Sequence, residues 1–179
     1  MFIAVLASLA VGLANLGSVD PLIGTEGTGT EYGGMMPMAG VPLGSMNLVP
    51  VTRTNGVSRT SFNALDRHLL GFILTRQPAI WMGDFGPLRV WLPKPLPIES
   101  VQASPYRIEV RAGGKLFELV ASSHVAYIRS DDPTLGGDLS DEGFVTERTM
   151  RTSTRPLPNF RSWYVKRREG NVLKLAVSL

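Results

Sequence analysis

The chain has 179 residues, 44% of them hydrophobic, so it is long enough for one domain with a buried core and is not a disordered segment. Nineteen glycines and 13 prolines interrupt it too often for long helices, which argues against an all-helical fold. The absence of cysteine excludes disulfides and cysteine-ligated zinc. The net charge of +3 comes mainly from cations in the C-terminal third, which predicts a solvated face and leaves nucleic-acid binding as a remote alternative.

The first 14 residues have the pattern of a secretory signal peptide. Residues 2–11 are apolar, and small residues follow at Gly12 and Ala14, the positions that a signal peptidase reads. Because no lysine or arginine precedes the apolar run, a buried first strand is the alternative interpretation. The run is too short to span a bilayer. We therefore expect a secreted, extracellular protein without a membrane span.

Short apolar runs with β-branched or aromatic members, bounded by turn residues, predict strands at residues 45–51, 68–74 and 88–92. From Tyr106 to Arg111, apolar and charged side chains alternate strictly, which indicates a strand with one solvated face. Gly113 and Gly114 then supply the positive backbone angles of a tight hairpin. Further strands are predicted at residues 116–121, 125–129, 163–166 and 172–177.

Eight short strands without a heptad or an internal repeat predict an all-β fold, an antiparallel β-sandwich over residues 20–179. Residues 134–143 are expected to form an acidic, exposed loop, whose carboxylates do not have the spacing of an EF-hand. The chain ends in an apolar strand with no polar tail, which a self-contained domain rarely leaves at an edge. We therefore expect a truncated protein.

Two glycine-containing segments carry candidate binding residues. One holds Glu31 and Tyr32, and the other holds Trp81 and Asp84. Glycines let backbone approach a ligand closely, an aromatic face packs on a sugar ring, and charged groups bind its hydroxyls. Core packing is the alternative for Trp81, and a turn or helix-cap role is the alternative for Asp84.

No pattern in the sequence indicates catalysis. The glycine-rich segment has no lysine and fits neither of the nucleotide-binding fingerprints. No spacing singles out a pair of carboxylates for glycoside hydrolysis, and Ser58 lacks the second glycine of a nucleophile elbow. His68 and His124 match no metal-binding spacing and are interpreted as structural. The residues alone support contact with carbohydrate, and we assign no catalytic and no metal-binding residue.

Several short blocks, taken in order, carry a family resemblance. They are VDPLIGT at residues 19–25, the glycine-rich run at 27–37, PLG at 42–44, TR at 52–53, GFI at 71–73, QPAIWMGDFG at 77–86 and PLPNFRSWY at 156–164. Together they resemble the N-terminal domain of glycoside hydrolase family 92, whose members are exo-acting, calcium-dependent, inverting α-mannosidases. Arg76 departs from the family pattern, because relatives tend to have histidine there.

The resemblance implies a β-sandwich that packs on a larger helical-barrel domain, which carries the catalytic acid and base and the calcium ligands. It also implies that Glu31, Tyr32, Arg53, Trp81 and Asp84 shape and contact the mannose pocket. We therefore expect a chain that lends loops to a site for hydrolysis of terminal α-mannosides of glycans and is inactive alone. The alternative is a freestanding carbohydrate-binding or interaction module.

Overall fold

The computed structural model describes residues 19–28, 35–41, 46–53, 60–75, 77–79, 83–85, 88–146 and 161–178; the apolar residues 1–14 lie outside these ranges. The described residues form strands and turns, and none of them belongs to a helix that could cross a membrane. The strands are β1 (Asn47–Val51), β2 (His68–Thr75), β3 (Gln77–Ala79), β4 (Gly83–Phe85), β5 (Leu88–Ser104), β6 (Arg107–Ala112), β7 (Lys115–Ala121), β8 (Val125–Ser130), β9 (Glu142–Thr146), β10 (Arg161–Glu169) and β11 (Val172–Ser178).

Nine of these strands form one curled antiparallel sheet in the order β1-β2-β5-β6-β7-β8-β11-β10-β9. Strands β3 and β4 pair only with each other, as a small hairpin between β2 and β5. The first part of β5 pairs with β2, and from Ile98 onward β5 pairs with β6. The two halves of the sheet pack face to face, which confirms the predicted all-β, sandwich-like fold.

The long strand β5 changes partner where its sequence is rich in proline. Between the pairs Leu69–Leu96 and Gly71–Trp91, residues 92–95 of β5 face a single residue of β2. Two of these residues are prolines, which have no N–H to donate to a sheet and are therefore found at bulges and irregular positions. The predicted strand at residues 88–92 was thus too short, because it was ended at the first proline.

Gly71 allows β2 to approach β5 closely at this irregularity. A Cβ at this position would lie 2.3 Å from the carbonyl oxygen of Val90, well inside van der Waals contact. Any side chain here would push the two strands apart, so the close pairing requires glycine.

The main core lies between the two halves of the sheet. Phe72 of β2 and Phe117 of β7 meet across it with their ring centroids 5.3 Å apart and their planes tilted by 48°. Such tilted contacts are the preferred geometry for aromatic pairs. The same cluster contains buried residues from six strands: Leu48, Val90, Ile108, Leu119, Ile128, Leu173 and Leu175.

A second, smaller core covers the outer face of β1 and β2. Val49 and Val51 of β1 and Ile73 of β2 are buried there beneath Met36 and Phe62, which come from the loops. This layer of the sandwich is therefore buried on both faces. Leu22 and Met38 pack against this second core as partly buried residues, so the described parts of these loops belong to the packed structure.

The opposite layer has one solvated face, as the alternation from Tyr106 to Arg111 predicted. Ile108 and Val110 are fully buried, whereas Arg107 is exposed and donates to Glu118 on β7 at 2.7 Å. The prediction was wrong for Tyr106, which lies in the β5–β6 turn and is exposed. The turn is formed by Pro105 and Tyr106, so it ends one residue later than the alternation suggests.

The hairpin between β6 and β7 is confirmed, with positive φ angles of 58° at Gly113 and 72° at Gly114. The predicted exposed loop at residues 134–143 is only partly correct. Leu135 is buried in the main core, and its carbonyl oxygen accepts a hydrogen bond from Arg168 at 2.5 Å. Lys166 donates to the carbonyl oxygen of Gly136 at 3.0 Å, so cations of β10 hold this loop in place.

Replacing Phe117 with alanine should lower the free energy of unfolding by about 3–5 kcal/mol, because it removes a fully buried ring and leaves a cavity between the layers. Urea denaturation followed by circular dichroism would measure this loss. Phe144→Ala is the matched control, since this ring is 65% exposed and its removal should cost less than about 1 kcal/mol. Equal losses in the two variants would contradict the assignment of the core.

Candidate functional site

An ion pair forms where the chain leaves β1 and returns to β2. Arg53 follows β1, and Asp66 precedes β2. The guanidinium of Arg53 donates from Nε to Oδ2 of Asp66 at 2.7 Å and from Nη2 to Oδ1. Thr52 adds a hydrogen bond from its hydroxyl to Oδ2 at 2.6 Å. This two-pronged contact fixes the plane of the guanidinium as well as its position.

Both charges are stabilised by this pairing. Burial alone would raise the pKa of Asp66, but the hydrogen bonds from Arg53 and Thr52 and the charge of Arg53 outweigh it, so the pKa is lowered. The hydrogen bond to Asp66 raises the pKa of Arg53 against the opposing effect of burial. The carboxylate is therefore ionised, and the arginine is charged, across the physiological pH range.

Asn63 connects this ion pair to the glycine-rich segment. Its side chain is 1% exposed and donates from Nδ2 to the carbonyl oxygen of Gly27 at 2.9 Å. Its Oδ1 accepts from the N–H of Leu65, and its own N–H donates to the hydroxyl of Thr52, each at 2.9 Å. A buried amide with these partners holds three stretches of chain together.

The segment from Asp20 to Thr28 is seated by further hydrogen bonds. The hydroxyl of Thr25, which is fully buried, donates to the carbonyl oxygen of Leu22 at 2.7 Å. The carbonyl oxygen of Thr25 accepts from the N–H of Ala64 at 3.1 Å. We call Gly27, Thr52, Arg53, Asn63 and Asp66 the Arg53 network. It fixes the start of the glycine-rich run against the β1–β2 connection.

The five candidate binding residues differ in what the structure describes. Arg53 lies in the network just defined. Asp84 lies in β4, where its backbone pairs with Pro78, so it belongs to a short strand rather than to an irregular connection. The remaining candidates, Glu31, Tyr32 and Trp81, lie outside the described residues.

The geometry suits Arg53 to a ligand with several oxygen atoms. A guanidinium has five N–H donors, and the two bonds to Asp66 leave three for other acceptors. Its side chain is 30% exposed, so this edge can reach solvent or a ligand. Because Asp66 has already fixed the orientation, a ligand does not need to order the side chain when it binds.

Asn63 and Asp66 were missed by the sequence analysis. They lie 36 residues from Gly27 and 13 residues from Arg53, respectively, and no sequence spacing rule links positions so far apart. The available signal was an arginine after one predicted strand and a carboxylate just before the next, because adjacent antiparallel strands bring such positions together.

The described residues do not fit a calcium site. Nowhere among them do three or more His, Cys, Asp or Glu side chains gather where a metal ion could be held. In the loop between β8 and β9, Asp132 accepts from Lys115 at 2.7 Å, and Asp138 accepts from the N–H of Trp91 at 2.9 Å. These carboxylates stabilise the fold through protein donors, and we derive no metal chemistry from them.

The fold and the site define an all-β domain whose loops build a charged network over one layer of a sandwich. Residues 18–93 match the sequence model of the Glycosyl hydrolase family 92 N-terminal domain. This part of the chain is therefore similar to that domain, and the whole Arg53 network lies inside the matched region. A comparison with curated proteins finds no match.

Solved structures of mannosidases share this fold. The inverting family 92 mannosidase BT2199 of Bacteroides thetaiotaomicron aligns over 90% of the chain with a TM-score of 0.65 and 19% identity. The family 92 α-mannosidase BT3965 of the same organism aligns over 91% with a TM-score of 0.60 and 15% identity. The chain spans 29% and 33% of the lengths of these two structures, respectively.

Acid should destabilise the protein partly through Asp66. Because its pKa is lower in the folded than in the unfolded state, its contribution is present above the unfolded value of about 3.9 and is lost as the pH falls through the folded value. Thermal unfolding should show that Asp66→Asn destabilises the protein at pH 6 but has little effect at about pH 2.

The lowered pKa of Asp132, where burial is outweighed by bonds from Lys115 and Thr134, acts in the same direction. Some acid sensitivity should therefore persist in the Asp66→Asn variant. Asp131→Asn is the control, because that side chain is exposed. If Asp66→Asn cost the same at both pH values, the ion pair would not be the source of the effect.

Asn63→Ala should lower the free energy of unfolding by about 2–4 kcal/mol, since it leaves buried groups of Gly27 and Leu65 without their partner. It should also shift the amide resonances around Gly27 in a two-dimensional NMR spectrum. Asn63→Asp keeps an acceptor for the N–H of Leu65 and removes the donor to Gly27, so it tests the hydrogen bond to Gly27 separately. Unchanged resonances around Gly27 in both variants would show that Asn63 does not fix this segment.

Proposed function

We propose that this chain is the N-terminal domain of a secreted family 92 α-mannosidase and lends loops to the mannose-binding site. The enzyme hydrolyses terminal α-mannosides of glycans. One observation carries the proposal: the region that matches the family model contains the complete Arg53 network, which presents an oriented cation beside a glycine-rich segment. The folds of two mannosidases, which align over about nine-tenths of the chain, support it.

In this proposal, Arg53 is a substrate-binding residue. Its N–H groups that do not bind Asp66 donate to neighbouring hydroxyls of a terminal mannose, which the planar guanidinium can contact in pairs. Trp81 supplies an apolar platform for the sugar ring, while Glu31, Tyr32 and Asp84 complete the hydrogen bonds to its hydroxyls. The amides of the glycine-rich run reach hydroxyls that a side chain would shield.

The reaction itself is proposed to take place on a second domain. Inverting hydrolysis needs an acid and a base about 6.5–9.5 Å apart with room for a water molecule. Glu109 and Glu118, which lie opposite each other on β6 and β7, are both bound by Arg107 on the solvated face of the sheet. We therefore assign the acid, the base and the calcium ligands to a helical-barrel domain, and we expect the isolated chain to be inactive.

Secretion is part of the same proposal and is supported by the sequence alone. The apolar residues 2–11, followed by Gly12 and Ala14, fit removal by a signal peptidase. The N-terminal sequence of exported protein tests this, because a start at Met1 would contradict it.

A specific observation favours one alternative, a freestanding carbohydrate-binding module. Phe144 and Trp163 are paired neighbours on β9 and β10, and both rings are exposed. Two aromatic rings side by side on a sheet face offer a platform on which sugar rings can pack. Under this alternative, the isolated chain binds glycans through these rings rather than through Arg53.

The main test joins the chain to the polypeptide encoded downstream in the same genome and measures hydrolysis of an aryl α-mannoside. Arg53→Ala should lower kcat/KM by about 10- to 100-fold, the loss expected for a hydrogen bond from a charged group. The isolated chain should release no mannose, with or without calcium.

Arg129→Ala is the control for this test, because Arg129 contacts Glu118 on the opposite layer and should not affect turnover. Thermal unfolding of both variants excludes a general loss of structure. Turnover by the isolated chain would contradict the assignment of the reaction to a second domain. Binding of mannan by the isolated chain that is lost in Trp163→Ala but kept in Arg53→Ala would support the freestanding module instead.

A further inference from the structure

A cavity of about 220 Å³ lies where β5 bulges away from β2. It is lined by residues 92–94 and Leu96 of the bulge, by Lys115 at the start of β7, and by Asp132 and Thr134 of the loop after β8. Because residues 92–95 face a single residue of β2, the backbone of β5 leaves the regular sheet here and the space stays open. The cavity has the volume of about seven water molecules at ~30 Å³ each, which is enough for a small organic molecule.

Asp132 forms a buried, charged part of the wall. Its side chain is 3% exposed, and its Oδ1 accepts from the N–H of Thr134 at 2.9 Å and from the hydroxyl of Thr134 at 2.6 Å. Its Oδ2 accepts from Nζ of Lys115 at 2.7 Å. Burial would raise the pKa of Asp132, but the bonds from Lys115 and Thr134 lower it, so the carboxylate is ionised at neutral pH. The carboxylate therefore holds the ammonium group of Lys115 at the edge of the cavity.

The lining has one positive charge more than it has negative charges. Asp132 balances the charge of Lys115, whose ammonium group keeps two of its three N–H donors for another acceptor. Lys94 is exposed on the bulge and makes no hydrogen bond or ion pair with any residue that the structure describes. Two ammonium groups with donors to spare thus border the cavity, which suits a ligand with a single negative charge.

The other side of the cavity is apolar. Leu92 and Leu96 are each 7% exposed, and Pro93 lies between them on the bulge. An inorganic anion has no apolar part and would leave this side of the cavity without a contact. An uncharged molecule would leave the excess positive charge without a partner. A carboxylate on a short aliphatic chain matches both sides.

We propose that this cavity is a binding site for a small aliphatic monocarboxylate. The carboxylate oxygens accept hydrogen bonds from Lys94 and Lys115, and the carbon chain packs on Leu92, Pro93 and Leu96. The ligand thereby joins the bulge of β5 to β7 and to the loop after β8, so its binding stabilises the region where the two layers of the sandwich meet. The site needs neither a mannoside nor a second domain, so its test is independent of the proposed function.

Butyrate is the probe for this site, added to the full chain and followed by two-dimensional NMR and by thermal unfolding. The amide resonances of Lys115 and Thr134 should shift and saturate with a dissociation constant of about 1 mM, as expected for a ligand of about six non-hydrogen atoms. Acetate, which is two methylenes shorter, should bind about tenfold more weakly. Butyramide has the same size without the charge and should not bind. Butyrate should raise the unfolding temperature, whereas an equal concentration of sodium chloride should not.

Lys94→Ala should weaken the binding of butyrate about tenfold, because it removes one of the two cations that hold the carboxylate. The side chain is exposed, so the variant should unfold at the same temperature as the parent protein when no ligand is present. Lys174→Ala is the matched control, since Lys174 pairs with Glu169 outside the cavity, and it should leave the affinity unchanged. Lys115 is a poor choice for substitution because its loss would leave the buried Asp132 without its partner charge.

Equal affinity of the parent protein and of Lys94→Ala for butyrate would overturn the proposed site. The absence of saturable shifts around Lys115 and Thr134, or equal binding of butyrate and butyramide, would overturn it as well. Inorganic phosphate that binds as tightly as butyrate would indicate an adventitious ion only, because the apolar side of the cavity would then contribute nothing.

Discussion

The continuity of β5 through its prolines is the constraint on which the rest of the structure depends. The strand pairs with β2 along its first part and with β6 along its second, so one run of backbone belongs to both layers of the sandwich. Because the residues between these parts bulge away from β2, the sheet can bend sharply without losing its order. The bend brings Phe72 against Phe117 and closes the main core. Without it, β1 and β2 would have no layer to pack on.

The layer beneath the candidate site is covered on both of its faces. The layer formed by β1 and β2 is buried on its inner face by the main core and on its outer face by Met36 and Phe62. Within the loops that carry the Arg53 network, Asn63 is buried, whereas the side chains of Arg53 and Asp66 are partly exposed. Loops are usually more mobile than their scaffold, and here the buried hydrogen bonds of Asn63 tie the β1–β2 connection to Thr52 and Gly27. The side chain of Arg53 is therefore ordered by Asp66 when the protein folds.

Much of the fold could be predicted from local patterns, because alternation and turn glycines act over a few residues. The hairpin at Gly113 and Gly114 and the strands on either side of it are examples. The length of β5 could not be predicted in this way, since proline normally ends a strand and only the bulge opposite β2 accommodates it. Strand β9 was missed because its sequence follows an acidic stretch and its pairing partner, β10, lies farther along the chain.

The candidate site was also only partly predictable from local sequence patterns. Arg53 came from a family resemblance, whereas Asp66 and Asn63 are defined by the closure of a loop and by contact with a distant segment. A sequence pattern indicates which interactions a residue type can make. Which partner holds an arginine in place depends on the tertiary fold. The ion pair and the buried amide could be seen only when the β1–β2 connection had been placed against the glycine-rich run.

The position of β11 has a consequence for how the protein is made. This strand lies between β8 and β10 in the sheet, although it follows both in the chain. During synthesis, β9 and β10 leave the ribosome before β11, the strand that connects them to the rest of the sheet. The edge of β10 that pairs with β11 is therefore unpaired during this time. Until residues 172–178 emerge, β9 and β10 have backbone groups without hydrogen-bond partners and can pair with the wrong strand.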